Sequence, residues 1–551
     1  MKFKHIIKLS EINRILSGLI FLILLPSVIF SQTPEERNYN VLSYDLDLNF
    51  YNCFQKPYTR AFSGASSISV MAKSRTDQIN LDAVNSSLII DSVSVSGILF
   101  THKFNVLTVF LDRFYDSSEV FDIKIYYRHS EAYDSAFIVR DGIVYTDCEP
   151  IGARKWFPCN DRPSDKALLS LKAMVPVNTV FCSNGMPVDS SVSGDTLTYK
   201  FISTKPIATY LVAVAGKTNF NLIQDFWERP SDKEKIPLRY YWQKGETYFN
   251  LTNVRNRVPE MLKLFSNLYT EYPFEKLAMA TTNKDFRWGG MENQTLITFC
   301  PDCWTEDLAV HEIAHQWFGD LITPYNWSDI WLNEGFATFN EAIWAEYKGG
   351  YADYKKNILY EAQKYLSRNP GRPIYSKDWD TNVPPDSILF NDILVYSKAA
   401  CVIQMLRYVI GDSSFFNSMN LYMNNPNFLY GNINTTEFIN FINEINGTDL
   451  NWFFMQWLTY PNHPVYQMQT DIYSSGSNMW SLDYTINQIQ TNAPFFKMPV
   501  ELKIIFENGK DSIVKVNNDY NVQKFTFEFK DKPLRVSFDP NKQIVLKEVS
   551  K

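Results

Sequence analysis

The stretch "HEIAHQWFGD", from His311 to Asp320, contains two histidines four residues apart with a glutamate directly after the first. Because the chain has only six histidines in 551 residues, a chance H-E-x-x-H is expected on the order of one time in a thousand. Residues i and i+4 lie on one face of a helix, so His311 and His315 can reach one metal ion. Glu312 lies about 100° further around the helix. The spacing therefore predicts a metal site with Glu312 as the general base that faces its water.

A zinc site with two histidines usually takes a carboxylate as third protein ligand and keeps a position for water. The helix-like segment "NEGFATFNEAIWAEYKGG" starts eighteen residues after His315, with Glu334 near its start. Pro324 and Asn326 turn the intervening chain, so this helix can pack back and bring Glu334 to the metal. Glu341 lies on the same face as Glu334 and is predicted to contact a ligating histidine. A solvated surface glutamate is the alternative at that position.

The elements around these residues can be predicted from periodicity and capping. Thr305 is a good N-cap, acidic residues follow it, and Gly319 is a plausible C-cap, so the metal helix is predicted over 305–319. Period-two alternation predicts strands over about 39–235, helical spacing dominates 240–462 apart from the strand-like "KLAMATT", and alternation returns after that. The pattern predicts a multidomain α+β chain: an N-terminal β domain (32–238), a mainly helical catalytic domain (239–462) and a small C-terminal β domain (463–551).

Composition excludes several classes of protein. Apolar residues make up 45% of the chain and aromatic residues 15%, enough for several globular cores. The net charge is −7, and no Lys/Arg-rich run follows the first fourteen residues, so a nucleic-acid partner is not expected.

The N-terminus has a basic region and then an apolar run from Ile15 to Phe30. That run is shorter than the ~20 residues that span a bilayer. We predict a cleaved signal peptide over 1–31 and export to the periplasm or the extracellular space, with no stable membrane span once the signal is removed. An uncleaved anchor is the alternative.

The chain contains seven cysteines, including the pair in "CPDC", Cys300 and Cys303. No second C-x-x-C is present to complete a four-thiolate zinc site. A loop disulfide or plain structural thiols are therefore favoured for this pair.

Four motifs, in this order along the chain, resemble those of the gluzincin aminopeptidases, a family that includes aminopeptidase N and leukotriene hydrolase. They are "TDCEPIGARKWFPCNDRP" (Thr146–Pro163), "GGMEN" (Gly289–Asn293), H-E-x-x-H followed after eighteen residues by "NEGFA", and "YSKAA" (Tyr396–Ala400). The resemblance implies an N-terminal β-sandwich, a thermolysin-like catalytic domain and a small C-terminal β-sandwich. It also implies one Zn²⁺ per chain. The chain stops without the large helical domain of longer members, so a more open active site is expected.

The resemblance also implies roles for individual residues. Tyr396 donates a hydrogen bond to the tetrahedral oxyanion, and Glu149 with Glu292 holds the substrate's α-ammonium group. The remaining residues of the "GGMEN" motif, which are expected to bind the substrate main chain, are Gly289, Gly290, Met291 and Asn293. A zinc aminopeptidase acting on peptides with a free N-terminus is therefore expected. A zinc endopeptidase, or a secreted inactive binding protein that retains the fold, remains an alternative.

Asp147 stands where the family more often has glutamine, and the resemblance places it beside the pocket for the substrate's first side chain. A carboxylate there predicts a preference for N-terminal Arg or Lys. The alternative is that Asp147 points to solvent or pairs with a basic residue such as Arg154.

Overall fold

The computed structural model describes residues 37–94, 99–380, 382–476 and 478–550. The predicted signal peptide, 1–31, lies outside the described residues. The first part of the chain forms strands at Tyr39–Asn49 (β1), Ser63–Ala72 (β2), Thr76–Asp82 (β3), Leu88–Ser94 (β4), Phe100–Lys103 (β5), Val106–Tyr115 (β6), Val120–His129 (β7), Phe137–Arg140 (β8), Ile143–Thr146 (β9), Ala167–Pro176 (β10), Thr179–Ser183 (β11), Met186–Ser193 (β12), Thr196–Ile207 (β13) and Val214–Thr218 (β14).

These strands form a β-rich unit, as the alternating sequence predicts. The seven-stranded sheet has the order β12-β13-β10-β1-β2-β7-β4, and smaller sheets have the orders β11-β14-β9-β8 and β3-β6-β5. Phe50, directly after β1, stacks on Phe137 of β8 and Phe181 of β11 at centroid distances of 5.6 and 5.8 Å. The core of this unit therefore lies between the large sheet and the four-stranded sheet.

A five-stranded sheet connects this unit to the helices. Its strands are Asn221–Glu228 (β15), Lys235–Trp242 (β16), Leu277–Thr281 (β17), Gly290–Met291 (β18) and Leu296–Phe299 (β19), in the order β15-β16-β17-β19-β18. Strand β16 runs across the predicted boundary between 238 and 239 and pairs in parallel with β17. Because a shared sheet belongs to one unit, β15 and β16 group with the strands that follow the predicted boundary.

The central part of the chain is mainly helical, as predicted. Its helices are Tyr248–Leu268 (α1), Glu306–His315 (α2), Trp331–Gly349 (α3), Tyr351–Arg368 (α4), Asp386–Leu389 (α5), a π-helix at Asp392–Lys398, Ala399–Ile410 (α6), Asp412–Met423 (α7), Thr435–Asn446 (α8) and Asn451–Thr459 (α9). Two short parallel strands, Thr323–Pro324 (β20) and Asn432–Ile433 (β21), pair between them.

Helix α2 starts as predicted, because the Thr305 side chain accepts a hydrogen bond from the Leu308 N–H. Its predicted end at Gly319 is wrong. The helix ends at His315, and the chain then turns back through Gly319, at φ 130°. This turn lets the Phe318 carbonyl accept a hydrogen bond from the His315 imidazole. The imidazole therefore takes a backbone partner that a longer helix would have removed.

The last part of the chain is again β-structure, with strands Val465–Gly476 (β22), Met479–Gln488 (β23), Met498–Phe506 (β24), Asp511–Asn518 (β25), Gln523–Phe529 (β26), Pro533–Phe538 (β27) and Glu548–Val549 (β28). They form two sheets, β26-β23-β22-β28 and β25-β24-β27. Leu482 of the first sheet and Ile504 of the second share one buried apolar cluster.

Cys300 and Cys303 form a disulfide, the first of the two alternatives expected for this pair. The other five cysteines are buried free thiols, at positions Cys53, Cys148, Cys159, Cys182 and Cys401. No group of potential metal ligands found among the described residues includes a cysteine.

One helical stretch of the described residues, Asp386–Ile410, is long and apolar enough to cross a membrane. Of its most apolar window, 78% is buried inside the structure. Packing in the helical core therefore accounts for its hydropathy.

Candidate metal centre

Three side chains from two helices converge on one point. His311 and His315 lie on α2, and Glu334 lies in the first turn of α3. The two Nε2 atoms are 3.2 Å apart, and Glu334 Oε2 lies 3.3 Å from the first and 3.4 Å from the second. The predicted ligand set is therefore assembled by the packing of α3 against α2.

The second nitrogen of each imidazole fixes its tautomer. His311 Nδ1 donates to Glu341 Oε1 at 2.8 Å, and His315 Nδ1 donates to the Phe318 carbonyl at 3.0 Å. Because both Nδ1 atoms carry the hydrogen, both Nε2 atoms of the neutral rings present lone pairs to the shared point. Glu341 thus makes the contact with a ligating histidine that its spacing predicts.

This donor set fits a zinc ion. Glu334 Oε2 is buried and has no hydrogen-bond partner, and a buried carboxylate oxygen facing two lone pairs is stable only around a cation. A tetrahedral ion with ligand distances of about 2.0–2.1 Å separates its ligand atoms by about 3.3 Å. The separations of 3.2–3.4 Å match that value, and two imidazoles with one carboxylate are typical zinc ligands.

Glu312 is buried beside the ligands and lines the same cavity. Burial raises the pKa of its carboxyl to about 8, and a bound dication lowers that pKa again by Coulombic attraction. A Cβ added at Gly290 would lie 2.3 Å from Glu312 Oε1. Position 290 therefore requires glycine, because any side chain there would displace the predicted base.

Tyr396 reaches the site from the π-helix. Its ring lies parallel to that of His311, with centroids 5.9 Å apart and an interplanar angle of 16°. Burial, and then the nearby Glu334 and Glu149 carboxylates, raises the pKa of the Tyr396 hydroxyl well above its usual range. The hydroxyl is therefore protonated and available as a hydrogen-bond donor.

Glu149 and Glu292 place two further carboxylates next to the ligands. One oxygen from each lies within 4.8 Å of the other and of an oxygen of Glu334. Oε1 of both residues is buried without a hydrogen-bond partner, and burial raises the pKa of both carboxyls. Two orphaned carboxylates of this kind favour a cationic ligand.

A residue that the sequence reasoning missed holds the Glu292 loop against the metal helix. The Gln316 side chain, directly after His315, donates to the Glu292 carbonyl at 3.1 Å and accepts from the Thr295 N–H at 3.0 Å. In the sequence, only the position of Gln316 directly after His315 indicates that it belongs to the site.

The site opens into a cavity of about 350 Å³. Gly289, Gly290 and Met291 line it along the edge strand β18, as predicted for substrate-binding residues. Four lining residues were not predicted: Trp288, Asp307, Leu308 and Phe390. Trp288 adjoins the "GGMEN" motif and Asp307 lies in the first turn of α2, whereas nothing local marks Phe390.

Two predicted substrate-binding residues do not line this cavity. Asn293 is fully buried, and its side-chain oxygen accepts from the Thr298 hydroxyl at 3.0 Å, so it supports the strand behind the pocket. Asp147 neighbours the lining residue Trp288 but does not line the cavity itself, and its side chain is only 4% exposed. The first alternative, that Asp147 points to solvent, is wrong because the side chain is buried. Asp147 does lie within ion-pair distance of a basic residue, but that residue is Arg287 and not Arg154, which pairs with Asp161 at 2.8 Å.

Two basic side chains act on Asp147, first Arg287 and then Lys155. Arg287 Nη2, on a side chain 51% exposed, lies 3.9 Å from Asp147 Oδ2, and Asp147 Oδ1 has no hydrogen-bond partner. Burial raises the pKa of the Asp147 carboxyl to about 6.

Two family descriptions match this chain. The Peptidase M1 N-terminal domain matches residues 38–211, and the Peptidase family M1 domain matches residues 254–457. The second match contains the converging side chains of His311, His315 and Glu334, as well as Glu312 and Tyr396.

Individual relatives agree with these matches. Aminopeptidase N of Haemonchus contortus is 30% identical over 380 residues, which covers 60% of this chain and 36% of the relative. Leucyl aminopeptidase of Saccharolobus solfataricus is 27% identical, with 72% of this chain and 50% of the relative covered. The chain thus spans about a third to a half of the length of these curated relatives.

Among solved structures, the M1 zinc metallopeptidase of Deinococcus radiodurans has the same fold. It superposes with a TM-score of 0.68 at 23% identity, covering 77% of this chain and 94% of that protein. The N-terminal β-rich domain and the helical catalytic domain are therefore a known combination.

Proposed function

Because this chain belongs to the gluzincin aminopeptidases of peptidase family M1, we propose that it is a zinc-dependent aminopeptidase that hydrolyses the N-terminal residue from peptides. The observation that carries this proposal is the pair of buried, unpartnered carboxylates of Glu149 and Glu292 beside the ligand set. An endopeptidase would have no use for two carboxylates that close off one end of the substrate. A free α-ammonium group supplies the counter-charge that both need.

A zinc ion held by His311, His315 and Glu334 would supply Lewis acidity, which polarises a carbonyl and makes water easier to deprotonate. Glu312 accepts the proton of the attacking water and passes it to the leaving amine. Tyr396 donates a hydrogen bond to the developing oxyanion, a contact worth about 3 kcal/mol in comparable sites. Glu341 keeps the His311 imidazole in the tautomer that binds a metal.

The edge strand β18 orients the peptide. Strand β18 pairs on one side with β19 and ends the five-stranded sheet. An extended substrate can therefore add along Gly289 and Gly290 by main-chain hydrogen bonds. Its amino terminus then lies at Glu292, and its scissile bond lies beside Glu312.

A panel of aminoacyl amides with free amino groups tests this function. The zinc-loaded protein should hydrolyse at least one of the Leu, Ala, Arg and Lys amides, and it should release only the first residue from longer peptides. Internal cleavage as the main activity would instead favour an endopeptidase.

The proposal extends to the first side chain of the substrate. Asp147 is buried two residues before Glu149, and the Arg287 guanidinium that approaches it is half-exposed and 3.9 Å away. A long basic side chain that passes Trp288 could therefore complete the charge pairing of Asp147. This arrangement supports a preference for N-terminal Arg or Lys.

Replacing Asp147 with glutamine is expected to remove this preference. In the wild type, kcat/KM for Arg and Lys amides should exceed that for Leu and Ala amides by roughly tenfold to a hundredfold, the size of a partly buried charge pair. The Arg-to-Leu ratio should fall toward one in Asp147→Gln. A better Leu or Ala substrate, or a ratio that the substitution leaves unchanged, would refute the preference.

We also propose that the last part of the chain is a small C-terminal β-sandwich domain, which the two packed sheets after residue 463 support.

We further propose that the protein is exported. The disulfide between Cys300 and Cys303 supports an oxidising compartment, and hence export. The predicted signal peptide would provide the route.

A further inference from the structure

The cavity continues beyond the catalytic groups, on the side away from the amine-binding carboxylates. A Cβ at Gly290 would meet Glu312, and a Cβ at Gly289 would lie 3.3 Å from a Leu308 methyl group. From Glu292 back to Gly289, the segment therefore lies first beside the base Glu312 and then beside Leu308 in the first turn of α2. Leu308 and Asp307 line the cavity there. The peptide portion that leaves after hydrolysis must occupy this end.

The cavity is strongly acidic. Its lining includes six carboxylates and no lysine or arginine; they are Glu149, Glu292, Asp307, Glu312, Glu334 and Glu341. The proposed function provides a positively charged partner or a hydrogen-bond donor for five of these six carboxylates. The metal accounts for Glu334 and Glu312, His311 for Glu341, and the α-ammonium group for Glu149 and Glu292.

Asp307 is the carboxylate that remains. It is exposed, and no hydrogen bond or ion pair is recorded for its side chain within the described residues. The adjacent Glu306 differs, because it accepts from Trp344 Nε1 at 2.6 Å and contacts Lys348. The first turn of α2 therefore carries one acidic residue neutralised by contacts with α3 and one without such a contact, which lines the cavity.

Independent observations mark this cavity as a ligand site. Glu292 is 3% exposed, and its Oε1 faces the cavity without a partner. The charge of Asp307 thus acts on whatever peptide the amine-binding end holds in place. At the start of α2 it also interacts favourably with the helix dipole, but that role would not require it to line the cavity.

We propose that Asp307 is a specificity-determining residue that favours a basic side chain in the residue directly after the scissile bond. The inference rests on the proposed aminopeptidase function. A positive side chain at that position pairs with Asp307, whereas an acidic side chain meets the carboxylates of Asp307 and Glu341. The α-carboxylate of a free dipeptide meets the same repulsion, so amidated dipeptides should be better substrates than free ones.

The test compares kcat/KM for Leu-Arg-amide, Leu-Leu-amide and Leu-Glu-amide. The wild type should prefer Arg to Glu at the second position by about fivefold or more, the effect of an exposed charge pair. Asp307→Asn should reduce the Arg-to-Glu ratio to near one, and Asp307→Lys should invert it. High ionic strength should reduce the wild-type ratio, because salt screens exposed charges.

Asp353→Asn is the matched control. Asp353 is an exposed aspartate in the first turn of α4 and lies outside the cavity lining, so its substitution should leave the Arg-to-Glu ratio unchanged. An unchanged ratio in both Asp307 variants, with melting temperatures near that of the wild type, would overturn this inference while the aminopeptidase assignment stood. Failure to hydrolyse any of the amides would count against the proposed function instead.

Discussion

Replacing Glu312 with glutamine should lower kcat by about a hundredfold to ten-thousandfold while the protein still binds zinc. Glutamine has nearly the same shape, so the close packing against Gly290 is retained. Its neutral amide cannot accept a proton from water. Because the proposed ligands are His311, His315 and Glu334, zinc content should remain at one per chain. Steady-state kinetics on the best aminoacyl amide, together with metal analysis, measures both quantities.

Glu306→Gln provides the control for this substitution. Glu306 lies in the same helix but bonds to Trp344 and Lys348 of α3 and does not line the cavity. Its replacement should leave turnover close to that of the wild type. Near wild-type turnover in Glu312→Gln would remove Glu312 from the mechanism.

Acetylation of the substrate's amino group should abolish detectable cleavage. An acetylated amine has no positive charge, so Glu149 and Glu292 remain buried without an ammonium partner. Each lost charged contact costs roughly 1.5 to 3 kcal/mol. The two together reduce kcat/KM by at least about a hundredfold. The measurement is hydrolysis of Leu-amide and N-acetyl-Leu-amide at equal enzyme concentration.

The Glu292→Gln variant separates recognition of the amine from damage to the metal site. It should lose activity on the free amide, retain its zinc, and discriminate less between the free and acetylated substrates. Efficient cleavage of N-acetyl-Leu-amide by the wild type would contradict the assignment of both glutamates and support the endopeptidase alternative.

The convergence of the proposed metal ligands could be predicted from sequence because their placement depends on local helix geometry. The spacing of His311 and His315 fixes a shared face, and Thr305 marks where the helix begins. Glu334 required one further assumption, that the second helix packs against the first. The structure confirms that packing and also the contact between Glu341 and His311.

The rest of the site depends on contacts that local patterns do not encode. Phe390 follows a short helix far along the chain, and its ring meets Trp288 at 6.2 Å only because the tertiary fold brings them together. The π-helix that carries Tyr396 differs from an α-helix by less than a residue per turn, too little for hydrophobic periodicity to reveal. The sequence of strand β16 alternates between apolar and polar residues like that of the preceding strands. Its pairing with β17 in the next sheet therefore cannot be predicted from this pattern.

Zinc titration of metal-free protein tests the central claim most directly. Hydrolysis of a free aminoacyl amide and bound zinc are measured together as zinc is added. Because His311, His315 and Glu334 converge on one point, activity should start near zero, rise in proportion to bound zinc, and saturate at one zinc per chain. Full activity in rigorously metal-free protein, or activity that does not follow zinc binding, would contradict the account.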